Sequence, residues 1–292
     1  MFDRSVSAEP SALSYFGRTP PEVLFVFSAL AQYSGAVVAK GLFDEVPPAT
    51  VAMFRVIGAA VALVVVSRAW RLRWGRAELV AAGLFGAATA IMNLFFYLAI
   101  DRLPLGKGVA IEFIGPIAVA AARTRSHRNA MALGLAVIGV LVLSGLEIRS
   151  GDPLGLVYIL AASAMWAAYI VGGMRVARLD RGLSGLGVGL VMGAFVVAPF
   201  GAPQSGPVWS SPRLLSLCLL VGVASSAVGY GIDQSVMRRV STRRFAVLLA
   251  LLPVTALAIG WVALDQRPGL LDLVGVGLVL CGVVLQERDS SP

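Results

Sequence analysis

Long apolar runs separated by short polar loops make up most of this chain. An α-helix rises 1.5 Å per residue, so about 20 apolar residues cross the roughly 30 Å of hydrocarbon in a bilayer. Ten runs are long enough, and we predict a transmembrane helix from each. The predicted spans are residues 22–42, 49–67, 77–100, 104–123, 129–146, 153–174, 183–200, 213–236, 242–264 and 269–285.

Arginine is concentrated in alternate loops. Seventeen arginines fall on the side of the N-terminus and four on the opposite side. Short loops rich in Arg and Lys stay in the cytoplasm. The alternation therefore predicts that both termini are cytoplasmic.

The two halves of the chain share a weak internal repeat. Residues 102–104 (RLP) align with residues 239–241 (RVS) at an offset of 137, and Pro116 aligns with Pro253 at the same offset. The match is short, but it agrees with a division of ten helices into two sets of five. Five is an odd number, so the two sets would enter the membrane in opposite directions.

We therefore predict an all-α integral membrane protein built from two inverted five-helix repeats. The first repeat covers residues 22–146 and the second covers residues 153–286, after a cytoplasmic leader of residues 1–21. Inverted repeats are common in secondary transporters, where the substrate site lies near the midplane between the halves.

The composition agrees with this class. Of the 292 residues, 58% are hydrophobic and 14% are charged, whereas soluble domains are about half apolar and a quarter charged. A net charge of +8 would indicate nucleic acid in a soluble protein, but here the cations belong to the loops. We predict contact with the lipid bilayer and no nucleic-acid partner, and the sequence leaves a homodimer open.

The first candidates are four ionisable side chains inside predicted spans: Lys40, Arg55, Lys107 and Glu112. Lys40 and Lys107 lie about 5 Å from the outer boundary, so we expect their ammonium groups to snorkel to the interface. Arg55 and Glu112 lie about 9 and 12 Å deep and should face the bundle interior, where they can pair. An acid at this depth indicates a functional site, or else an ion pair that only joins two helices.

Pro116 lies four residues after Glu112. Proline has no backbone N–H, so it leaves the carbonyl of Glu112 without its usual helical donor. An acid and a free carbonyl together suit a proton, a cation or an ammonium group. Pro253 frees the carbonyl of Leu249 in the same way, but no acid accompanies it.

Several polar or amphipathic side chains inside the spans are further candidates. Asp233 is either a neutralised helix end beside Arg238 and Arg239 or a functional acid. The aromatic and amide candidates line a cavity or pack in the core, and they are Tyr33, Asn93, Tyr97, Trp166, Tyr169 and Tyr230.

Motifs of intramembrane or nucleotide-dependent enzymes are missing. The chain contains no HExxH helix, no GxSxG elbow, no phosphate-binding loop and no acidic cluster for a metal. We therefore predict a protein that is not an enzyme and uses no cofactor and no metal. A lipid-modifying intramembrane enzyme and a membrane scaffold without transport remain the alternatives.

The run NLFFYLAIDRLPLGKGVAIEFIGPIAVA (residues 93–120) resembles the threonine/homoserine exporter branch of the EamA-type drug/metabolite transporter superfamily. VAMFRVIGAA (residues 51–60), WRLRWG (residues 70–75) and AMWAAYIVGG (residues 164–173) are similar to the same branch. The Glu-Phe-x-Gly-Pro core is the most specific of these motifs.

The resemblance implies an inner-membrane exporter of small neutral amino acids or related metabolites. It also implies a proton-driven, alternating-access mechanism, with a small-molecule substrate and protons as partners. By position it places weight on Arg55, Tyr97, Glu112 with Pro116, and Trp166.

The chain departs from this branch around helix nine. Relatives often carry a glutamate just before the proline of that helix and a Gly-Glu pair at its end. Here those positions are Leu252-Pro253 and Asp265-Gln266. The departures leave Glu112 as the only deep acid that the resemblance implies.

Overall fold

The computed structural model describes residues 19–123, 126–150, 152–177, 182–237 and 251–285. Within those ranges the chain is helical and contains no strand. Residues 1–18, most of the predicted leader, lie outside the described part.

The helices follow the apolar runs. In chain order they are α1 (Pro21–Gly41), α2 (Pro48–Ser67), α3 (Arg76–Arg102), α4a (Leu105–Glu112), α4b (Ile114–Arg123), α5 (His127–Ser150), α6 (Pro153–Ala177), α7 (Gly182–Gly201), α8a (Pro212–Val221), α8b (Gly229–Met237), α9 (Leu251–Leu264) and α10 (Leu270–Leu285). A short helix, Gly206–Ser210, precedes α8a, and a π-helical segment, Gly222–Val228, joins α8a to α8b.

Six helices are long and apolar enough to cross a membrane: α1, α2, α3, α6, α7 and the continuous α8a–α8b. Helices α5, α9 and α10 contain shorter apolar stretches. The expected all-helical, multi-pass membrane fold is therefore confirmed. The count of ten spans in two repeats stays a prediction.

Helix boundaries follow local chemistry. Proline occupies the first helical position of α1 and α2, where its fixed φ suits the helix and its missing N–H costs nothing. The side chain of Glu78 accepts the backbone N–H of Gly75 at the start of α3. Helix α9 ends at Leu264, and the next residue, Asp265, has a φ of 50° in the left-handed region. Aspartate tolerates that conformation better than most residues, and it takes the place of the more usual glycine.

Helices α3 and α7 cross at their backbones. A Cβ on Gly86 would collide with the carbonyl of Gly189, and a Cβ on Gly193 would lie 2.5 Å from the carbonyl of Gly86. Glycine is thus required on both sides of this crossing. Small residues are the usual means of close helix contact in membranes.

Helices α2 and α8a make a similar crossing, where Gly58 lies against the backbone of Leu219. The repeat offset of 137 carries Gly58 to position 195 on α7, and it carries Leu219 back to position 82 on α3. The offset therefore relates α2 to α7 and α8a to α3 as helices, although Ala82 contacts Gly189 of α7 and not position 195.

The fourth membrane segment is divided in two. Helix α4a ends at Glu112, the chain turns at Phe113, and α4b begins at Ile114. The N–H of Ile117 bonds the carbonyl of Phe113 at 3.2 Å, which restarts the helical pattern after Pro116. Since Pro116 cannot donate to Glu112, the division falls where a helical hydrogen bond is missing.

Candidate functional site

Three contacts hold α4a at its first turn. The amide oxygen of Gln266 accepts the N–H of Leu105 at 2.8 Å, which satisfies one of the free donors at the helix start. Nζ of Lys107 lies 3.2 Å from a carboxylate oxygen of Asp272 on α10. Gly106 lies directly against Leu257 of α9. These contacts place Glu112 two turns further along the same short helix.

Glu112 is buried, with 6% of its surface exposed. Within the described chain, no side chain forms an ion pair with it and no group donates a hydrogen bond to its carboxylate. Arg55 is near enough for its charge to act on Glu112. A buried acid without a direct partner is unusual, because an unpaired charge in a membrane is costly.

Arg55 makes two contacts, and neither is with Glu112. Its Nε donates to the hydroxyl of Ser226 at 2.8 Å. Its guanidinium carbon lies 4.9 Å from the centre of the Tyr97 ring, a cation–π geometry. The expected direct pair between Arg55 and Glu112 is absent from the described part of the chain, because the guanidinium is turned toward Ser226 and Tyr97.

Two buried donors beside this contact lack a well-formed hydrogen bond to the described residues. They are Nη1 of Arg55 and the hydroxyl of Tyr97, and the two groups interact with each other. Arg55 is 4% exposed and Tyr97 is fully buried. Buried polar groups are almost always hydrogen-bonded, so this geometry has room for an added acceptor, such as an anionic oxygen, that binds both.

The π-helical segment explains how Ser226 reaches Arg55. Within that segment, Gly222 packs against the backbone carbonyl of Arg55, where no Cβ could be accommodated. This close approach brings the following turn, with Ser226, under the guanidinium. Single π-helical turns are often found at functional sites. The apolar pattern of the chain does not predict this one.

Asn93 of α3 and Tyr230 of α8b meet in the bundle interior. The Asn93 amide nitrogen lies 3.4 Å from the Tyr230 hydroxyl and also donates to the carbonyl of Thr89 at 2.8 Å. Tyr230 lies 6.4 Å, centre to centre, from the ring of Tyr169, which stacks on Phe85 at 4.7 Å. Tyr97 lies one turn after Asn93 on α3. Four sequence candidates from three helices are thus near one another: Asn93, Tyr97, Tyr169 and Tyr230.

Tyr33 of α1 completes this group. It is 8% exposed, and its hydroxyl interacts electrostatically with Glu112, Asp233, Tyr230 and Arg55. Trp166 lies slightly apart, since its ring meets Phe113 edge-on at 4.9 Å, at the division of α4. Six of the eight sequence candidates therefore lie in one group. Tyr169 borders this group through the ring of Tyr230, and Trp166 borders it through the ring of Phe113.

Asp233 has partners that the sequence analysis does not predict. Its carboxylate accepts hydrogen bonds from Ser28 at 2.6 Å and from Gln32 at 3.1 Å, both on α1. Arg238 and Arg239, the neighbours considered for it, lie outside the described residues. Asp233 is therefore half-buried and hydrogen-bonded to α1. The expectation that Glu112 is the only deep acid stays a prediction.

The two lysines differ from each other. Lys40 is half-buried, and its ammonium donates to the carbonyl of Ile100 at the end of α3. The side chain of Lys107 is only 10% exposed because it pairs with Asp272. The expectation that Lys107 snorkels to the interface is therefore wrong. Pro253 lies in the first turn of the described part of α9, and Leu249 falls outside the described residues.

Two polar stripes connect most of these groups. Thr89, Asn93 and Tyr97 are spaced by four residues on α3, and Ser226 and Tyr230 have the same spacing on α8. Positions four apart share a helix face. This spacing could have identified Ser226 from the sequence, whereas nothing in the sequence links Ser28 to Asp233.

Comparison with known proteins identifies the family. The model of the EamA-like transporter family matches residues 153–286. The chain is 31% identical over 274 residues to the threonine/homoserine exporter RhtA of Salmonella typhimurium (strain LT2), covering 93% of this chain and 91% of that protein. It is 30% identical over 276 residues to RhtA of Escherichia coli (strain K12), covering 93% of each. This chain belongs to the EamA-like transporter family.

A solved crystal structure supports the same fold. It superposes with a TM-score of 0.60 at 18% identity and covers 91% of this chain and 96% of its own. At that identity the likeness concerns the fold alone. Membership of the EamA-like family confirms the resemblance found in the sequence, and it makes this chain a multi-pass membrane transport protein.

Proposed function

We propose that this protein exports small neutral amino acids, of the kind represented by threonine and homoserine, or related metabolites, across the inner membrane. Its full-length likeness to threonine/homoserine exporters supports the substrate class. The observation that carries the proposal is the pair of opposite charges, Arg55 and Glu112, buried close together without an ion pair between them.

An amino acid carries a carboxylate and an ammonium group, and this site offers a complement to each. The substrate carboxylate accepts hydrogen bonds from Nη1 of Arg55 and from the hydroxyl of Tyr97, the two donors that lack a well-formed hydrogen bond to the described residues. The ammonium group faces Glu112, where the helix division leaves a backbone carbonyl as a second acceptor. Charge-assisted bonds of this kind are about twice as strong as neutral ones.

Proton coupling follows from competition for one carboxylate. Glu112 binds either a proton or the substrate ammonium, so that loading one releases the other. Because its carboxylate has no fixed partner among the described residues, both states are open to it. The inward proton gradient would then drive export by alternating access.

The architecture that we propose is ten helices in two inverted repeats with both termini in the cytoplasm. The corresponding crossings of α2 with α8a and of α7 with α3 support the repeat. The family match over residues 153–286 coincides with the proposed second repeat. The arginine-rich loops support the orientation.

The convergence of deep polar groups separates this proposal from its alternatives. A lipid-modifying enzyme needs a nucleophile or a metal cluster near the headgroups. A scaffold has no need of an unpaired acid and arginine facing one interior space. The described polar groups meet inside the bundle, among α1, α2, α3, α4a and α8.

Export from loaded cells tests the proposal. Cells that express the protein are loaded with threonine, homoserine or other small metabolites, and efflux is followed with and without a protonophore. We expect efflux of at least one compound, and we expect it to collapse with the gradient. Gradient-independent efflux would refute the coupling, and no efflux of any compound from well-expressed protein would refute the export proposal.

Glu112→Gln is the matching variant, because it keeps the shape and removes the charge. We expect it to abolish gradient-driven efflux. Glu45→Gln is the control, since Glu45 is 46% exposed and pairs only with Arg213 at the surface. Efflux by Glu112→Gln equal to that of wild type would rule out the role of Glu112.

A further inference from the structure

Asp233 lies in a hydrogen-bonded cluster that the proposed site does not use. Besides the Asp233 carboxylate, the Ser28 hydroxyl is 3.0 Å from the carbonyl of Gly229. The Gln32 amide nitrogen lies 3.1 Å from both the Ser28 hydroxyl and Asp233. Ser28 is fully buried and begins the third turn of α1, about 10 Å from the start of the helix.

The cluster can satisfy two protonation states without moving. When Asp233 is ionised, Ser28 donates to it, and Gln32 donates to its second oxygen. When Asp233 carries a proton, that proton is donated to the Ser28 hydroxyl, which then turns its own hydrogen to the Gly229 carbonyl. A serine hydroxyl has one hydrogen and two acceptor positions, so it can donate to Asp233 in the first arrangement and accept from it in the second, while it accepts from Gln32 in both.

Within the described part of the chain, which leaves out Arg238 and Arg239, no positive charge pairs with Asp233. The titratable groups that face it are Tyr33 of α1 and Tyr230 of its own helix. Helix α7, which also touches α8b, contains no titratable residue between positions 182 and 201. No described basic side chain pairs with Asp233. A structural acid in a membrane normally has such a partner.

The same two tyrosines connect Asp233 to the proposed substrate site. Tyr230 precedes Asp233 by three residues, and its hydroxyl reaches Asn93. Both Tyr33 and Tyr230 interact electrostatically with Asp233 and also with Glu112. Both acids therefore act electrostatically on the same two tyrosines.

We propose that Asp233 is a second proton-binding carboxylate of the transport path, with Ser28 and Gln32 as the groups that accept and stabilise its two states. The proposal rests on the export function proposed above. Glu112 exchanges a proton for substrate. Asp233 binds and releases a proton only, on the side of the site that α1 and α8b enclose.

Transport by the purified, reconstituted full-length protein separates these roles. Asp233→Asn keeps the size and the hydrogen-bonding atoms but cannot take up a proton. We expect it to retain threonine–threonine counterflow without a gradient and to lose accumulation driven by an imposed pH gradient. Asp265→Asn is the control, since Asp265 is 83% exposed and asparagine also tolerates its left-handed conformation; it should retain both activities.

Two transport results would overturn the proposal. One is gradient-driven accumulation by Asp233→Asn equal to that of wild type. The other is loss of counterflow in a variant that still elutes as folded protein, which would make Asp233 a substrate ligand. Ser28→Ala is a second test variant, because it keeps the Asp233 carboxyl and removes the hydroxyl that would accept its proton. We expect weakened accumulation with intact counterflow.

An infrared measurement tests Asp233 without any substrate. Difference spectra of the purified protein between acidic and alkaline buffer report carboxyl groups that gain or lose a proton. We expect a carboxyl band that is present in wild type and in Asp265→Asn but absent in Asp233→Asn. Identical spectra of wild type and Asp233→Asn would overturn the proposal even if transport is intact. If the band is absent in Asp233→Asn but wild type transports nothing, only the export function is refuted.

Discussion

The ion pair between Lys107 and Asp272 gives the sharpest test of how α4a is positioned. The two charges lie 3.2 Å apart, and their side chains are 10% and 18% exposed. At an effective dielectric constant of about 20, two unit charges at this distance attract by about 5 kcal/mol. Desolvation of both groups offsets much of that, and we expect a net coupling of about 2 kcal/mol.

A double-mutant cycle measures this coupling. Lys107→Met removes the positive charge of the pair, and Asp272→Asn removes the negative charge. Each single variant should lower the free energy of unfolding by about 3 kcal/mol, because the remaining, largely buried charge loses the opposite charge of this pair. The double variant should lose about 2 kcal/mol less than the sum of the two single losses. The Asp272→Asn change keeps a side-chain oxygen for the N–H of Gly269, which Asp272 accepts at 3.0 Å, so this helix start is preserved.

Unfolding of the purified protein in detergent, followed by circular dichroism against increasing dodecyl sulfate, supplies the four free energies. The surface pair of Arg213 with Glu45, whose side chains are 67% and 46% exposed, is the matched control and should show a coupling of at most about 1 kcal/mol. Losses at Lys107 and Asp272 that add within about 0.5 kcal/mol would refute the reasoning. The pair would then not clamp α4a to α10.

Three further variants probe other parts of the structure. Tyr97→Phe removes the proposed hydroxyl donor to the substrate and keeps the ring beneath the guanidinium. Threonine affinity, measured by transport kinetics, should fall about tenfold, equivalent to about 1.5 kcal/mol for a bond to a charged group, with little change in thermal stability. Gly86→Ala should destabilise the protein by about 1–3 kcal/mol. Gly134 has open space around it, so Gly134→Ala should be neutral or stabilising by up to about 1 kcal/mol. Equal melting temperatures for these two variants would contradict the described crossing of α3 and α7. Pro116→Ala restores a donor to the carbonyl of Glu112 and should reduce export while the protein stays folded, so export equal to that of wild type would separate the helix division from transport.

Much of the fold follows from the apolar runs. A helix that crosses a bilayer needs an apolar run of about 20 residues, so the apolar runs in the sequence predict where the helices lie. The position of Pro116 likewise identifies the region where α4 is divided. Arg55 and Glu112 could be found because an ionisable residue inside an apolar run is rare.

Tertiary partners could not be found in that way. Arg55 bonds Ser226, which is 171 residues away, and Lys107 pairs with Asp272 in the first turn of α10. Snorkelling is the sensible expectation for a lysine near a boundary when its neighbours are unknown. The charge of Asp272 becomes available to Lys107 only because α4a and α10 pack side by side. Sequence distance gives Asp233 two arginine neighbours, yet its observed partners are on the first helix.

The contact between Asn93 and Tyr230 has a consequence for motion. The two residues are 137 positions apart, which is the repeat offset itself, so each meets its own counterpart. In a pair of inverted repeats, the inward-open and outward-open shapes differ by an exchange of roles between the halves. During that exchange, contacts between non-equivalent positions of the two repeats break and form elsewhere. A contact between equivalent positions is present in both shapes. Under the proposed inverted-repeat, alternating-access mechanism, this amide–phenol contact would be present in both shapes and would act as the pivot between the two halves.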